Sequence, residues 1–156
     1  MHAMDNEASG SDETRIRALI DAFSNAFRAR DIEGVMSIFD PGIVSFDLAP
    51  PLQCVGSGAL RRHWEATFAS FQGPVGYDVH DLRIAVAGDL AFSHSLNRTS
   101  ATLASGRSTR RWLRWTACWR KTDGTWRVTH EHVSVPVDPS TARRCRTWTP
   151  ATPGRA

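Results

Sequence analysis

The chain has 156 residues, 41% of them hydrophobic, with six tryptophans and seven phenylalanines, which suits one domain with a true core and excludes a disordered chain. No apolar run approaches a membrane-spanning length, and the acidic, polar opening is unlike a signal peptide, so a cytoplasmic protein with no membrane partner is expected. The ends cancel, with Asp5, Glu7, Asp12 and Glu13 at the head against Arg143, Arg144, Arg146 and Arg155 in the tail, which leaves the formal charge of +3 on the middle of the chain, residues 15–142. The one internal basic run, Arg107 to Arg111, reads as a solvated hairpin tip, so nucleic acid is not an expected partner. Cys54, Cys118 and Cys145 are odd in number and spaced for neither a zinc site nor a disulfide frame, which fits a reducing compartment.

Residues 1–12 read as a disordered head. From 13 to 30 the apolar positions Ile16, Leu19, Ile20, Phe23, Ala26 and Phe27 recur at three-and-four spacing, which predicts an amphipathic helix with Ser11 or Asp12 as its N-cap. Asp31 caps a short second helix through Phe39, ended by Pro41-Gly42. A short strand follows over 43–48, then a proline-bearing loop. Gly56-Ser57-Gly58 opens a third helix over 58–70, carrying Leu60, His63, Trp64 and Phe68, and Gly73-Pro74 breaks it. Strands are predicted over 75–87, 90–103, 110–121 and 126–136, joined at Gly88-Asp89, at Ser105-Gly106-Arg107 and at Asp123-Gly124. The tail from 137 to 156 reads as extended or disordered. Helices first and hairpin-linked strands after predict an α+β fold, a curved antiparallel sheet wrapped on N-terminal helices into a cone with a pocket at its open end.

Alternation along the strands assigns faces. In the last strand Trp126, Val128, His130, His132 and Ser134 share one face. Phe92, His94, Leu96 and Arg98 share another, as do Trp112, Arg114, Thr116 and Cys118. These sets are expected to look into the cone, with Asp47 joining from the short strand. Trp115 and Trp119 would then form a flat outer surface covered by a second subunit, making a homodimer. His63 is expected at a helix edge, His80 on the outer side of its strand, and Glu131 turned away from the two histidines beside it. A bulge would invert part of this assignment, because a one-residue slip turns every side chain over.

Residues 31–36 (Asp-Ile-Glu-Gly-Val-Met), the strand leading to Asp47, Gly56 before a tryptophan-bearing helix, and the closing run from Trp126 to Pro136 together resemble the superfamily of nuclear transport factor 2, ketosteroid isomerase and the SnoaL-type cyclases. The resemblance covers residues 13–136 and implies an NTF2-like, cystatin-like cone. In ketosteroid isomerases a general-base aspartate stands nine residues before the glycine that opens the third helix, a spacing Asp47 and Gly56 keep. The oxyanion-hole tyrosine falls at Phe23 and the oxyanion-hole aspartic acid near Thr116, so both strong donors are missing.

Three functions are compatible with these residues. The first is a cofactor-independent acid–base enzyme of isomerase, cyclase, dehydratase or epoxide hydrolase type, acting on a largely apolar carbonyl- or hydroxyl-bearing metabolite. Asp47, His94, His130, Arg98 and Arg114 would be catalytic, and Trp64, Trp112, His132, Phe23 and Thr116 would contact substrate. The second is a ligand-binding or scaffolding protein without turnover. The third is a metal-dependent lyase or hydrolase built on His94, His130, His132 and Asp47, which the neighbouring arginines would oppose. Neither a metal nor a cofactor is expected.

Overall fold

The computed structural model describes residues 2–141 and 143–144, with the side chains of residues 10–141. Cys145 and the rest of the tail lie outside the described residues. Helix α1 (His2–Ala29) is followed by α2 (Ile32–Met36), strand β1 (Phe39–Phe46), strand β2 (Cys54–Val55) and helix α3 (Ser57–Ala69). Strands β3 (Phe71–Ala87), β4 (Leu90–Leu103), β5 (Ser108–Thr122) and β6 (Thr125–Ser134) complete the domain. The short pair β7 (Val137–Asp138) and β8 (Arg143–Arg144) occupies part of the expected tail.

The main sheet has six strands in the order β2-β1-β6-β5-β4-β3, antiparallel except where β1 runs parallel to β6. The curved sheet and the three helices form the expected α+β cone. One face of α1 meets the sheet through Ile16, Ile20, Phe23 and Phe27, which are 0–5% exposed. Phe23 stacks on Trp115 at 5.6 Å between centroids and meets Tyr77 edge-on at the same distance. Such aromatic packing supplies much of the driving force for closing the cone.

Several boundaries differ from those read in the sequence. Helix α1 begins at His2, through the expected disordered head, so Asp12 is not an N-cap but an interior helical residue. Its buried carboxylate accepts bonds from Trp126 Nε1 (3.0 Å) and Lys121 Nζ (2.8 Å), pinning α1 to the β5–β6 hairpin. Helix α2 stops at Met36, and Phe39 already belongs to β1, with Pro41-Gly42 absorbed where the pairing with β6 shifts register. Gly73-Pro74 likewise lies inside β3, at another register shift.

The largest departure concerns the faces of the sheet. Cys118 pairs with His130, but Trp119 pairs with Val128, so Thr129 is one extra residue in β6. Trp126 and Val128 point into the cone before this bulge, and Glu131 points inward after it (2%, 0% and 3% exposed). His130, His132 and Ser134 are thereby turned outward. On β4 and β5 the concave side carries Ser93, Ser95, Asn97, Leu113, Trp115, Ala117 and Trp119, all buried. The physical reason lies in the rings that close the cone. Trp119 Nε1 donates to Ser93 Oγ at 2.9 Å and Tyr77 Oη accepts from Asn97 Nδ2 at 2.7 Å. A core lined with tryptophan and tyrosine needs polar partners inside it, so the small polar residues go in and the histidines and arginines stay in water. Trp115 and Trp119 are core residues, not an outer surface.

Candidate functional site

The cone encloses a cavity of about 250 Å³ between α1, α3 and the far half of the sheet. Its wall is largely aromatic, with Phe23, Phe27, Trp64, Phe71, Tyr77 and Trp115, and its polar groups include Asp47, His63 and Glu131.

Local chain geometry brings the first two together. β2 pairs with the end of β1 through Val44–Val55 and Ser45–Cys54. Gly56, at φ +84°, then turns the chain into α3 while its N–H donates to the Ile43 carbonyl at 2.7 Å. A residue with a Cβ rarely adopts that φ. Helix α3 therefore starts beside β1, and one and a half turns later His63 reaches Asp47, just past the end of β1. His63 Nε2 lies 2.8 Å from Asp47 Oδ2. Asp47 Oδ1 accepts the Leu48 N–H at 2.6 Å, which holds the carboxylate in place. The Asp47 hydrogen bond raises the proton affinity of His63 above that of a free imidazole, against the opposing effect of burial.

Glu131 sits deeper. Ser45 Oγ donates to its Oε1 at 2.8 Å and Trp115 Nε1 to its Oε2 at 2.9 Å. Burial pushes its carboxyl pKa up to about 7, and the Asp47 charge adds to the rise while the two hydrogen bonds and His63 oppose it. His63 and Glu131 thus each feel the other and Asp47 across one small cavity. Tyr77 completes the polar set, its hydroxyl held neutral by burial.

Of the residues singled out in the sequence, Asp47, Phe23 and Trp64 line this cavity. The others lie on the outer face of the sheet. His94 is exposed, pairing across β4 and β5 with exposed Thr116, which pairs in turn with His132. Arg98 forms an ion pair with Asp78 at 3.0 Å, and Arg114 bonds Ser134 at 3.1 Å. His130 Nδ1 is bonded to the Val44 carbonyl, and Trp112 packs against His80 at 4.9 Å between ring centroids. Cys118 is on that face as well. The histidine and aspartate set weighed as a metal site therefore does not converge, and among the described residues no group of three or more His, Cys, Asp or Glu is placed to hold an ion.

Sequence reasoning missed His63 and Glu131 as site residues. For Glu131 the usable signal was its own parity, opposite to His130 and His132, once the bulge is allowed for. For His63 it was helical spacing, one residue from cavity-lining Trp64 and one turn before Thr67, which also lines the cavity.

A curved six-stranded sheet wrapped on N-terminal helices is the architecture of the NTF2-like superfamily. Residues 16–138 match the SnoaL-like domain family, and the chain belongs to it. A crystal structure of an NTF2-like protein of unknown function from Pseudomonas putida KT2440 is 35% identical, covering 91% of this chain and 99% of that one with a TM-score of 0.84. A ketosteroid isomerase-like protein from Erwinia carotovora atroseptica shares the fold at 22% identity, covering 76% of this chain and 91% of that one (TM-score 0.66). So does a proposed dehydratase of the NTF2-like family from Streptomyces avermitilis, at 18% identity, 80% and 96% coverage and a TM-score of 0.69. No curated protein matches the sequence. Among the described residues no helix is long and apolar enough to cross a membrane.

Proposed function

We propose that this protein is a cofactor-independent acid–base enzyme that moves a proton on a small, largely apolar molecule bearing a carbonyl or hydroxyl group. The observation that carries the reading is the Asp47–His63 ion pair at one aromatic-walled cavity with buried Glu131. Glu131, with a pKa near 7, is matched to the work of a general base near neutral pH, and His63, whose proton affinity Asp47 raises, to that of a general acid. Glu131 would take a C–H proton next to the carbonyl. His63 would deliver its own proton either to a carbon further along, giving an isomer, or to a departing hydroxyl, which leaves as water. Asp47 positions the imidazole. The fold is shared with proteins described as ketosteroid isomerase-like and as a proposed dehydratase, which supports the reaction class by analogy alone.

The test is solvent deuterium incorporation into β-tetralone and into a β-hydroxy ketone, followed by NMR. Exchange or elimination catalysed by the wild type and slowed about 10²–10⁴-fold by Glu131→Gln and His63→Gln is expected. Rates equal to buffer, or unmoved by either substitution, would favour a binding protein without turnover, for which the aromatic wall is equally suited.

We also propose a second copy of the chain as partner. The outer face of the sheet carries Phe46 and Phe92, 38% and 51% exposed, and further along it Leu96 and Trp112, half-buried. A homodimer would cover this face rather than one made by Trp115 and Trp119. Free Cys54 and Cys118 fit a reducing, cytoplasmic setting.

A further inference from the structure

The cavity has two ends of different electrical character. At one, Glu131 accepts from Trp115 Nε1 at 2.9 Å, and His63 lies 2.8 Å from Asp47. At the other stands Arg111, which lines the cavity beside Thr99. It belongs to the basic run that reads in the sequence as a solvated hairpin tip. Arg107 and Arg110 of that run are indeed exposed, but Arg111 is half-buried. Strand parity gives the reason, since Arg111 shares the concave face of β5 with buried Leu113 and Trp115. Strand β6 makes its last pairing with β5 opposite Arg114, so the rung joining Arg111 to Thr99 lies past it, toward the open end of the cone. Among the described residues no other arginine and no lysine lines the cavity. Arg111 and Trp115 stand four residues apart on β5, about 13 Å along the strand at about 3.3 Å per residue. The wall also holds a buried donor without a partner, Trp64 Nε1, which an oxygen on a ligand would satisfy.

We propose that Arg111 selects the ligand of this cavity by holding its carboxylate. The ligand is then an apolar keto or hydroxy acid roughly two fused rings long, with the acid and the carbonyl or hydroxyl at opposite ends. A guanidinium keeps its charge throughout the range in which the protein is folded, and its planar fork matches a carboxylate with two parallel hydrogen bonds. Such bonds are stronger at a half-buried, aromatic-walled mouth than in open water. The acidic residues set the direction of entry. Asp47 and Glu131 repel an anion from the inner end and Arg111 attracts one at the outer end, so the ligand enters carbonyl first and presents that group to His63. The assignment rests on the cavity being the substrate site, as in the reading above, and not on any proton transfer.

The probes are 6-acetyl-2-naphthoate and 6-acetyl-2-naphthamide, which share rings and ketone and differ in charge. Their Kd values are measured by calorimetry at low ionic strength for the full-length wild type, Arg111→Gln, Arg111→Lys and Arg110→Gln. The wild type is expected to bind the acid at least about tenfold more tightly than the amide. Arg111→Gln should erase that preference while the amide still binds, which shows the cavity intact. Arg111→Lys keeps the charge without the fork and should recover part of the preference. Arg110→Gln, one residue away on the exposed face, should leave it whole. A second measurement needs no substitution: the acid and not the amide should protect Arg111 of the wild type from phenylglyoxal, read by peptide mass spectrometry. A wild type that binds neither probe or both alike, a preference that survives Arg111→Gln or falls equally in Arg110→Gln, or protection that is absent or the same for both probes, overturns the proposal. An Arg111-dependent preference without β-tetralone exchange would defeat the enzymatic reading and leave this one standing; exchange with no preference for the acid would do the reverse.

Discussion

His63 Nε2 and Asp47 Oδ2, 2.8 Å apart with 15% and 16% of their side chains exposed, tie the second turn of α3 to the end of β1. The pair raises the proton affinity of His63, so its contribution to stability is complete below the unfolded-state pKa, about 6.5, and is lost as pH rises through the raised folded value. Asp47→Asn should therefore lower the melting temperature more at about pH 6 than at about pH 9, by roughly 2–4 °C for each kcal/mol of pairing lost. Thermal melts at the two pH values check this, and an equal loss at both would contradict it. In turnover the alkaline limb of kcat/KM should move to lower pH in the same variant.

Glu131 gives the opposite kind of lever. Its pKa rises from 4.5 to about 7 on folding, so the folded state binds the proton more tightly and stability falls as pH climbs through that window. The decline amounts to roughly 3 kcal/mol. Glu131→Gln removes it, because a neutral amide has no charge to desolvate. Trp115 Nε1 can only donate, so the amide oxygen must face Trp115 and the amide N–H₂ must face Ser45, whose hydroxyl turns to accept. Urea titrations from about pH 5 to 8 should show a flatter stability profile for the variant. A wild-type slope that survives the substitution would assign it to other groups.

Asp12 tests how the helix is fastened to the sheet. Lys121 and Trp126 both bond its carboxylate and hold its pKa below the ordinary value of 3.8, so this stabilisation is present above that pH and disappears as pH falls through the lowered pKa. Asp12→Ala should cost roughly 1–3 kcal/mol near neutral pH, measurable by denaturant unfolding. The gap to wild type should narrow in strong acid; a gap that held constant down to acid pH would mean packing, not charge, is responsible.

The proposed dimer makes a separate prediction. Phe92 is half exposed on the outer face near the start of β4, directly beside Cys118 on β5. Phe92→Glu should convert a dimer to a monomer in sedimentation equilibrium without shifting the Glu131-dependent stability profile. A wild type that sediments as a monomer ends the idea.

The architecture was legible in the sequence because helix periodicity in α1, turn residues at Asp123-Gly124 and long alternating strands all point to the same α+β cone. Phe23 and Trp64 were legible for a related reason, since each sits in a helix with plain periodicity, and Asp47 follows the part of β1 past its register shift, where Val44 to Phe46 pair with β6 without interruption. The strand faces were not. Alternation gives two sets per strand and no instruction as to which goes in, and on β5 tryptophan occupies both. What decides the matter is hydrogen bonding of indole and phenol groups to Ser93, Asn97 and Glu131, a tertiary demand that no single strand displays. His94, Arg98, Arg114, His130 and His132 looked like a converging cluster only on the assumption that polar residues beside aromatics must be functional.

The extra residue at Thr129 acts as a phase shift halfway along β6. Upstream of it the strand contributes bulk to the hollow, and downstream it contributes a carboxylate where an unbroken strand would present imidazoles. The same sequence paired without the bulge would present His130 and His132 in place of Glu131, whereas deleting Thr129 would merely make the ladder regular and leave Glu131 facing inward. The bulge thus selects, from one fixed run of side chains, which of them the hollow receives.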